Sequence, residues 1–191
     1  MPPNPHRRSL ILDAAIDILN DTGVGGVTHR QVDERAGLPQ GTTSNYFRTR
    51  LTLLEATAGR VVELHWLNVA ALQRLSGRQG DRQALVALMG ALVSSPDPAA
   101  RRLLIARYEL SLEATRRPEL RPFMDEMAHA AMTSARSVLK WGGIDASDKQ
   151  LARLSRLLNG LAFSQLTVSQ EAQPAGDLVE LADALLRAAL G

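Results

Sequence analysis

The chain has 191 residues, of which 45% are hydrophobic and 22% are charged, so it is long enough to bury a sizeable core. It contains no cysteine, which excludes disulfides, thiol nucleophiles and thiolate metal sites. The formal net charge of +2 is too small to indicate nucleic-acid binding by itself, so the placement of charge has to decide that question.

The first residues include arginines but no apolar run of the length of a signal peptide. No later stretch approaches the length that spans a membrane. We therefore expect a cytoplasmic protein with no membrane partner.

The first predicted helix begins at Asn4 and Pro5, a cap and first-turn pair. Apolar residues then recur at helical spacing, with aspartates opposite. These residues are Leu10, Ile11, Ala14, Ala15, Ile18 and Leu19. Arg7 and Arg8 near its start are either phosphate contacts or solvated cations. The segment 23–26 follows no strand and reads as a turn between helices.

Two short helices are predicted next. Thr28 and Gln31 form a capping box, in which each side chain can bond the other residue's backbone N–H, and Val27 with Val32 can close a hydrophobic staple. Gly37 supplies a left-handed residue that ends this helix, and Leu38 can fold back on its last turn.

The second short helix runs from Thr42 to Phe47 and is rich in hydroxyl and amide side chains, which suit base edges and phosphates. No acidic residue lies between Gln40 and Thr52, whereas two arginines do, so this end of the hairpin presents positive charge to a polyanion.

Periodicity predicts further helices through the rest of the chain. They run from Thr49 to about Leu75, from a cap at Asp81 to about Ser95, from a cap at Asp97 to Pro118, through Pro122 to Gly142, from a second capping box at Ser147 and Gln150, and from Asp177 to about Leu190. Strand signals are absent. The sequence therefore predicts an all-α fold of about nine helices.

The hairpin resembles the N-terminal helix-turn-helix of the tetracycline-repressor-like (TetR/AcrR) family of bacterial regulators. The residues that match in order and spacing are Ile11, Leu12, Ala14, Ala15, Gly23, Thr28, Val32, Ala36, Gly37, Leu38, Gly41, Thr42, Tyr46, Phe47 and Leu54. The other interpretation is that the hairpin is only a packing corner.

Three places depart from the family pattern. Thr43, Ser44 and Asn45 stand where many members carry an aliphatic residue and then aromatics. Asp33 replaces a usual alanine in the first hairpin helix, and Leu51 replaces a usual acid just after the second.

The resemblance implies a helix-turn-helix domain over residues 1–48 and an effector-binding and dimerisation domain over residues 49–191. It implies a ligand-responsive repressor that binds a near-palindromic operator as a homodimer and is released by a small molecule. Candidates for base contacts are Thr42, Thr43, Ser44 and Asn45. Candidates for phosphate contacts are Thr28, Gln40, Tyr46, Arg48 and Arg50.

The middle helices carry methionines and aromatics with polar tips, which suit a cavity for an apolar or amphipathic molecule but also suit an ordinary core. The candidate effector-binding residues are His65, Trp66, Met89, Tyr108, Phe123, Met127 and Trp141.

The last two helices carry leucines three and four residues apart, a seam that packs lengthwise on another helix. By resemblance this seam pairs two subunits, and the alternative is that it covers the core of its own chain. The candidate interface residues are Leu151, Leu154, Leu158, Leu161, Leu178, Leu181 and Leu185.

No constellation indicates an enzyme, a cofactor or a metal. The four histidines, His6, His29, His65 and His129, lack a second ligand at metal spacing, and Ser44 and Ser111 lack the context of an activated nucleophile. The second hypothesis for function is a DNA-independent helical dimer that binds a small apolar or amphipathic molecule.

Overall fold

The computed structural model describes residues 4–75, 80–94, 97–168 and 177–191. Within these ranges the chain is all-α, as predicted, with nine α-helices, one short 3₁₀ helix and no strand. The helices are α1 (Pro5–Gly26), α2 (His29–Arg35), α3 (Thr42–Tyr46), α4 (Arg50–Leu75), α5 (Arg82–Ser94), α6 (Pro98–Ala114), the 3₁₀ helix (Pro118–Leu120), α7 (Arg121–Trp141), α8 (Asp148–Thr167) and α9 (Asp177–Leu190).

Helix α1 begins as predicted, with the Asn4 side chain accepting a hydrogen bond from the His6 N–H at 3.0 Å. Its apolar stripe is buried, and Ile11 and Leu19 have no exposed surface. The helix runs to Gly26 but is interrupted at Gly23, where φ is +71°. The predicted turn over residues 23–26 is therefore a kink followed by a last helical turn.

Helix α4 begins at Arg50, one residue later than predicted. Thr49 and Thr52 cap it reciprocally, because each hydroxyl oxygen accepts from the other residue's backbone N–H, at 3.1 and 3.2 Å. This pair satisfies the backbone N–H groups that an acidic side chain in the first turn satisfies in a standard capping box. Leu51 therefore leaves the start of the helix intact.

The predicted start signals of α5 and α8 are confirmed. The Asp81 carboxylate accepts from the Ala84 N–H at 2.8 Å, and Ser147 with Gln150 forms the full capping box. Helix α6 ends at Ala114, before Pro118, which opens the 3₁₀ helix instead.

The described helices form two compact units. The first contains Met1–His65 and Ala99–Met127, and the second contains Trp66–Pro98 and Ala128–Gly191. In the first unit α2 packs on α1 and on α3, and in the second α5, α8 and α9 pack on one another. The sequence-based domain limit between residues 48 and 49 does not coincide with this grouping and remains a prediction. Among the described helices, none combines the length and the hydropathy needed to cross a membrane.

Candidate functional site

Helix α2 is fixed at its start by a side-chain cap. The Thr28 hydroxyl oxygen accepts from the Gln31 N–H at 3.3 Å, whereas the reciprocal bond of the predicted capping box is not formed. Val27 and Val32, the predicted staple pair, are both fully buried.

The end of α2 is the predicted left-handed stop. Gly37 has φ +63°, its N–H donates to the Glu34 carbonyl, and the Leu38 N–H donates to the Asp33 carbonyl at 2.9 Å. These two bonds make a Schellman motif, which satisfies the last carbonyls of the helix. The turn toward α3 is thereby set by backbone geometry.

Helix α3 has only five residues and follows Gly41, which has φ +89° and no side chain to cap it. Asp33 on α2 supplies the missing acceptor. Its carboxylate accepts from the Gly41 N–H and the Thr43 N–H, both at 2.7 Å, and from the Thr43 hydroxyl at 2.6 Å. Asp33 is only 2% exposed. Sequence reasoning noted this residue as a departure but missed what it contacts.

The four base-contact candidates fall into different environments. Thr43 is fully buried and bonded to Asp33, so it faces away from any DNA, and its prediction as a base contact is not supported. Thr42 and Ser44 are half-buried, and their hydroxyls donate to the carbonyls of Pro39 and Gly41. Asn45 is exposed.

The phosphate-contact candidates also divide. Gln40 and Arg48 are exposed. Thr28 is half-buried as the cap of α2, and the Tyr46 hydroxyl oxygen accepts from the Asn4 N–H at 3.2 Å, which ties α3 to the start of α1. Arg50 lies along the turn between α1 and α2, where its Nε donates to the Val27 carbonyl at 2.9 Å.

The hairpin is also held by several contacts that the sequence did not predict. The second guanidinium donor of Arg50 reaches the Val24 carbonyl, and the Val24 N–H donates to the Glu109 carboxylate of α6 at 3.0 Å. The His29 Nε2 atom lies 2.6 Å from the Phe47 carbonyl oxygen, which links α2 to the end of α3. The two residues in each of these contacts are 18 to 85 positions apart, so local sequence patterns do not predict the contacts.

Aspartates on α1 pair with arginines on the helices beside it. Asp13 accepts from Arg60 of α4 at 2.9 Å and holds the pKa of that guanidinium above its ordinary value, and Asp17 pairs with Arg102 of α6. These bonds give two aspartates on the polar face of α1 cationic partners within the chain.

The exposed surface around the hairpin is richer in cations than in acids. Arg7, Arg8, Arg30 and Arg48 are all exposed, and Arg8 lies over the Phe47 ring with 5.6 Å between its guanidinium carbon and the ring centroid. This distribution provides the positive charge that a polyanion requires, although the net charge of the chain is small.

The effector-binding candidates are distributed over both units. In the first unit His65 and Tyr108 are half-buried, and Phe123 and Met127 are buried. The other three candidates, Met89, Trp66 and Trp141, lie in the second unit. Met89 is 1% exposed within the α5–α8–α9 core, so its prediction as a pocket residue is not supported. Trp141 packs against the same core, and the Trp66 ring lies 6.0 Å from the His129 ring between centroids.

Phe123 lines a cavity of about 400 Å³ within the first unit. The apolar part of the lining comes from α4, the 3₁₀ helix and α7, and three exposed glutamates surround it. The lining residues are Glu55, Ala58, Gly59, Val62, Glu119, Leu120, Pro122, Phe123 and Glu126. An apolar floor with several carboxylates suits a molecule that is both apolar and positively charged.

The leucine seam of α8 and α9 has two parts. Leu151 and Leu154 are at most 1% exposed in the core of their own chain, so their prediction as interface residues is not supported. Leu158, Leu161, Leu178 and Leu185 are half-buried, and Leu181 is 36% exposed. Phe163 on α8 and Val179 on α9, which the seam pattern did not include, are 45% and 49% exposed.

Within the ranges that the structure describes, no group of three or more histidine, aspartate or glutamate side chains is arranged to hold a metal ion.

Family models match most of the chain. The model of bacterial regulatory proteins of the tetR family matches residues 11–57, and the model of the tetracyclin repressor-like C-terminal domain matches residues 80–191. The first match covers α1 from residue 11 onward, α2, α3 and the start of α4, and the second covers α5 to α9.

Curated relatives are similar over the N-terminal part. The chain is 42% identical over 53 residues to the HTH-type transcriptional regulator BetI of Cronobacter sakazakii, and 38% identical over 71 residues to BetI of Klebsiella pneumoniae. These matches cover 28% and 37% of this chain, and only 26% and 35% of the relatives' own lengths.

Solved structures are similar over nearly the whole chain. A member of the TetR family from Streptomyces coelicolor A3 is 27% identical, with a TM-score of 0.74 over 98% of this chain and 99% of that one. The multidrug binding protein EbrR, solved as a complex with ethidium, is 28% identical, with a TM-score of 0.70 over 97% and 99%.

The contacts of Arg50 predict that it stabilises the hairpin. Arg50→Ala should lower the free energy of unfolding by about 1.5–3 kcal/mol, because the Val24 and Val27 carbonyls lose a charged donor. Arg48→Ala, which removes an exposed arginine two residues away, should change it by less than about 0.5 kcal/mol. Urea denaturation followed by circular dichroism measures both. Equal losses in the two variants would contradict the structural role of Arg50.

Proposed function

Because the chain belongs to the tetracycline-repressor-like family of bacterial regulatory proteins, we propose that it is a DNA-binding transcriptional repressor that a small molecule releases from its operator. The observation that carries this proposal is the hairpin of α2 and α3. Its second helix carries an exposed Asn45, and exposed arginines lie nearby in the hairpin. The helix is held in place by hydrogen bonds that backbone N–H groups donate to the Asp33 side chain. A rigid frame with a polar outer face is what recognition of base edges requires.

Within the hairpin we assign base reading to Asn45, with Thr42 and Ser44 beside it. The Asn45 amide can bond an adenine edge through both its donor and its acceptor. Gln40 and Arg48 are exposed and suit phosphate contacts. Thr28, Tyr46 and Arg50 contribute chiefly by holding the hairpin. Thr28 caps α2, whereas Tyr46 and Arg50 each bond a neighbouring segment.

We propose that α8 and α9 pair with their copies in a second subunit, as the family resemblance implies. The support is that both helices carry exposed apolar side chains, Phe163 on α8 and Leu181 on α9, in addition to the leucines that fill the chain's own core. A two-fold dimer places two α3 helices on successive major grooves, so its operator is near-palindromic.

We propose that the effector is an apolar cation bound in the Phe123 cavity. Three carboxylates beside an apolar floor support this class of ligand, and the similar multidrug binding protein EbrR has been solved with ethidium and with proflavin. The effector releases DNA only if it binds the DNA-free conformation more tightly than the DNA-bound one.

The DNA-independent ligand-binding dimer is the weaker alternative, because the N-terminal family model matches the hairpin itself. The family is one of regulators rather than enzymes. A regulator of this kind acts on DNA in the cytoplasm.

Replacing Asn45 and replacing Arg48 should change DNA binding in different ways. Asn45→Ala should weaken binding to the cognate operator by about 1–3 kcal/mol and leave binding to random duplexes unchanged. Arg48→Ala should weaken both, and should reduce the slope of log K against log salt concentration by about one. Fluorescence anisotropy over a salt series measures both effects. Equal loss on cognate and random duplexes for Asn45→Ala would remove it from the base-reading residues.

The α8–α9 surface should control assembly. The double variant Phe163→Glu and Leu181→Glu, with one change on each helix, should be a monomer at concentrations where the natural chain is a dimer, because dimerisation would bury two carboxylates per subunit in an apolar interface. Leu112→Glu changes a 53% exposed leucine on α6 and serves as the matched control. Sedimentation velocity measures the state of each. A dimer that tolerates the double variant would place the interface elsewhere.

The cavity should bind ethidium through its carboxylates. Changing Glu55 and Glu119 together to glutamine should weaken ethidium binding roughly thirtyfold, since each exposed carboxylate near a cation contributes on the order of 1 kcal/mol. Glu180→Gln, on α9, is the control for loss of charge alone. Ethidium fluorescence is measured without DNA, into which ethidium itself intercalates. Equal affinities in all three proteins would contradict this site.

A further inference from the structure

The Asp33 carboxylate of α2 is buried, and it bonds the start of the next helix, α3. It is buried at 2% exposure, and it accepts three hydrogen bonds of 2.6 to 2.7 Å, one from Gly41 just before α3 and two from Thr43 within it. No arginine or lysine pairs with it among the ion pairs of the described residues. Its acceptors are used to hold α3.

These bonds provide what α3 lacks in its own sequence. The first N–H groups of a helix have no partner within it, and the residue before α3 is Gly41, which has no side chain to accept from them. A helix of five residues is not stable by itself. Asp33 therefore acts as the cap of α3 from the neighbouring helix, and joins the two by a rigid link.

The link also fixes how α3 is rotated about its axis. Thr43 is held inward by its N–H and its hydroxyl, and each residue of a helix turns about 100° from the one before. Asn45 is therefore about 200° from Thr43 and faces outward, as its exposure shows. Thr42 is three residues from Asn45 and shares that outer side.

The contact between Asp33 and Thr43 is both polar and buried. Asp33 is 2% exposed, Thr43 is fully buried, and the Thr43 hydroxyl donates to the Asp33 carboxylate at 2.6 Å. A hydrogen-bonded pair is directional, whereas an apolar contact is not.

We propose that Asp33 is a positioning residue for sequence recognition, which sets the rotation of α3 through Thr43 and so decides which side chains face the bases. This inference rests on the proposed DNA-binding function. Asp33 itself is buried and contacts no base.

The test compares discrimination between operator and random duplex, expressed as the ratio of the two dissociation constants, in variants shown by circular dichroism to be folded. Asp33→Asn replaces one acceptor oxygen of the carboxylate by an NH2 group, which cannot accept a hydrogen bond, so at least one of the three bonds is lost. The ratio should therefore fall at least about fivefold. Glu34→Gln removes the adjacent exposed carboxylate and should leave the ratio within about twofold. The ratio cancels the general gain in DNA affinity from removing a negative charge.

Thr43 provides a milder second pair of variants. Thr43→Val keeps the shape of the side chain but removes its hydroxyl, and should lower the ratio severalfold, whereas Thr43→Ser keeps the hydroxyl and should preserve it. If Asp33→Asn does not fold, this pair decides the question. A purely structural role would change the unfolding midpoint of Thr43→Val and leave its ratio unchanged.

The outcomes separate the two claims. If the natural chain discriminates and folded Asp33→Asn or Thr43→Val discriminates equally well, the positioning role is overturned and the proposed function stands. If the natural chain shows no preference for any duplex, the proposed function fails and the positioning role fails with it. Loss of the ratio in Asp33→Asn and Thr43→Val, with Glu34→Gln and Thr43→Ser unaffected, supports both.

Discussion

The shortness of α3 is the constraint on which the rest of the hairpin depends. Five residues cannot repay the cost of starting a helix, so the conformation of α3 has to come from its neighbours. Asp33 caps it from α2, the Tyr46 hydroxyl ties it to α1, and the His29 ring contacts the carbonyl that follows it. The surface that would meet DNA is thus attached to the helices behind it by hydrogen bonds.

The helices behind α3 are connected to it by polar bonds as well as by apolar packing. Asp13 and Asp17 on α1 pair with arginines of α4 and α6, and Glu109 on α6 accepts from the turn between α1 and α2. Residue Arg102 and residue Glu109 lie on the same helix. A shift of α6 along its axis would break or strain both bonds, which gives the proposed release of DNA a physical route.

Local signals in the sequence predicted the elements of the fold well. The caps at Thr28, Asp81 and Ser147 and the left-handed stop at Gly37 depend on residues at most five apart, so the local sequence contains all the information needed to predict them. The role of Asp33 depends on bonds to residues eight and ten positions later, across a turn. Its presence could be seen as a departure from the family pattern, but its partner could not.

Residue type and spacing gave predictions that the structure does not support in two places, for the same physical reason. Thr43 is polar and was predicted to face DNA, yet a buried carboxylate gives its hydroxyl a partner inside the protein. Leu151 and Leu154 are spaced like an interface seam, yet they fill the core between α5, α8 and α9. In each case the residue type predicts that the side chain will find a hydrogen-bond partner or an apolar contact. Only the packed structure shows whether that contact lies inside the chain or at an interface.

Selection of bound fragments from sheared genomic DNA of the encoding organism, near physiological salt with competitor DNA, tests the central claim most directly. A folded, dimeric protein should enrich a small set of fragments that share a near-palindromic sequence, with half-sites one helical turn or a multiple apart. Uniform recovery of fragments by the same protein would contradict a DNA-reading role, and would favour a dimer that binds its small molecule without DNA.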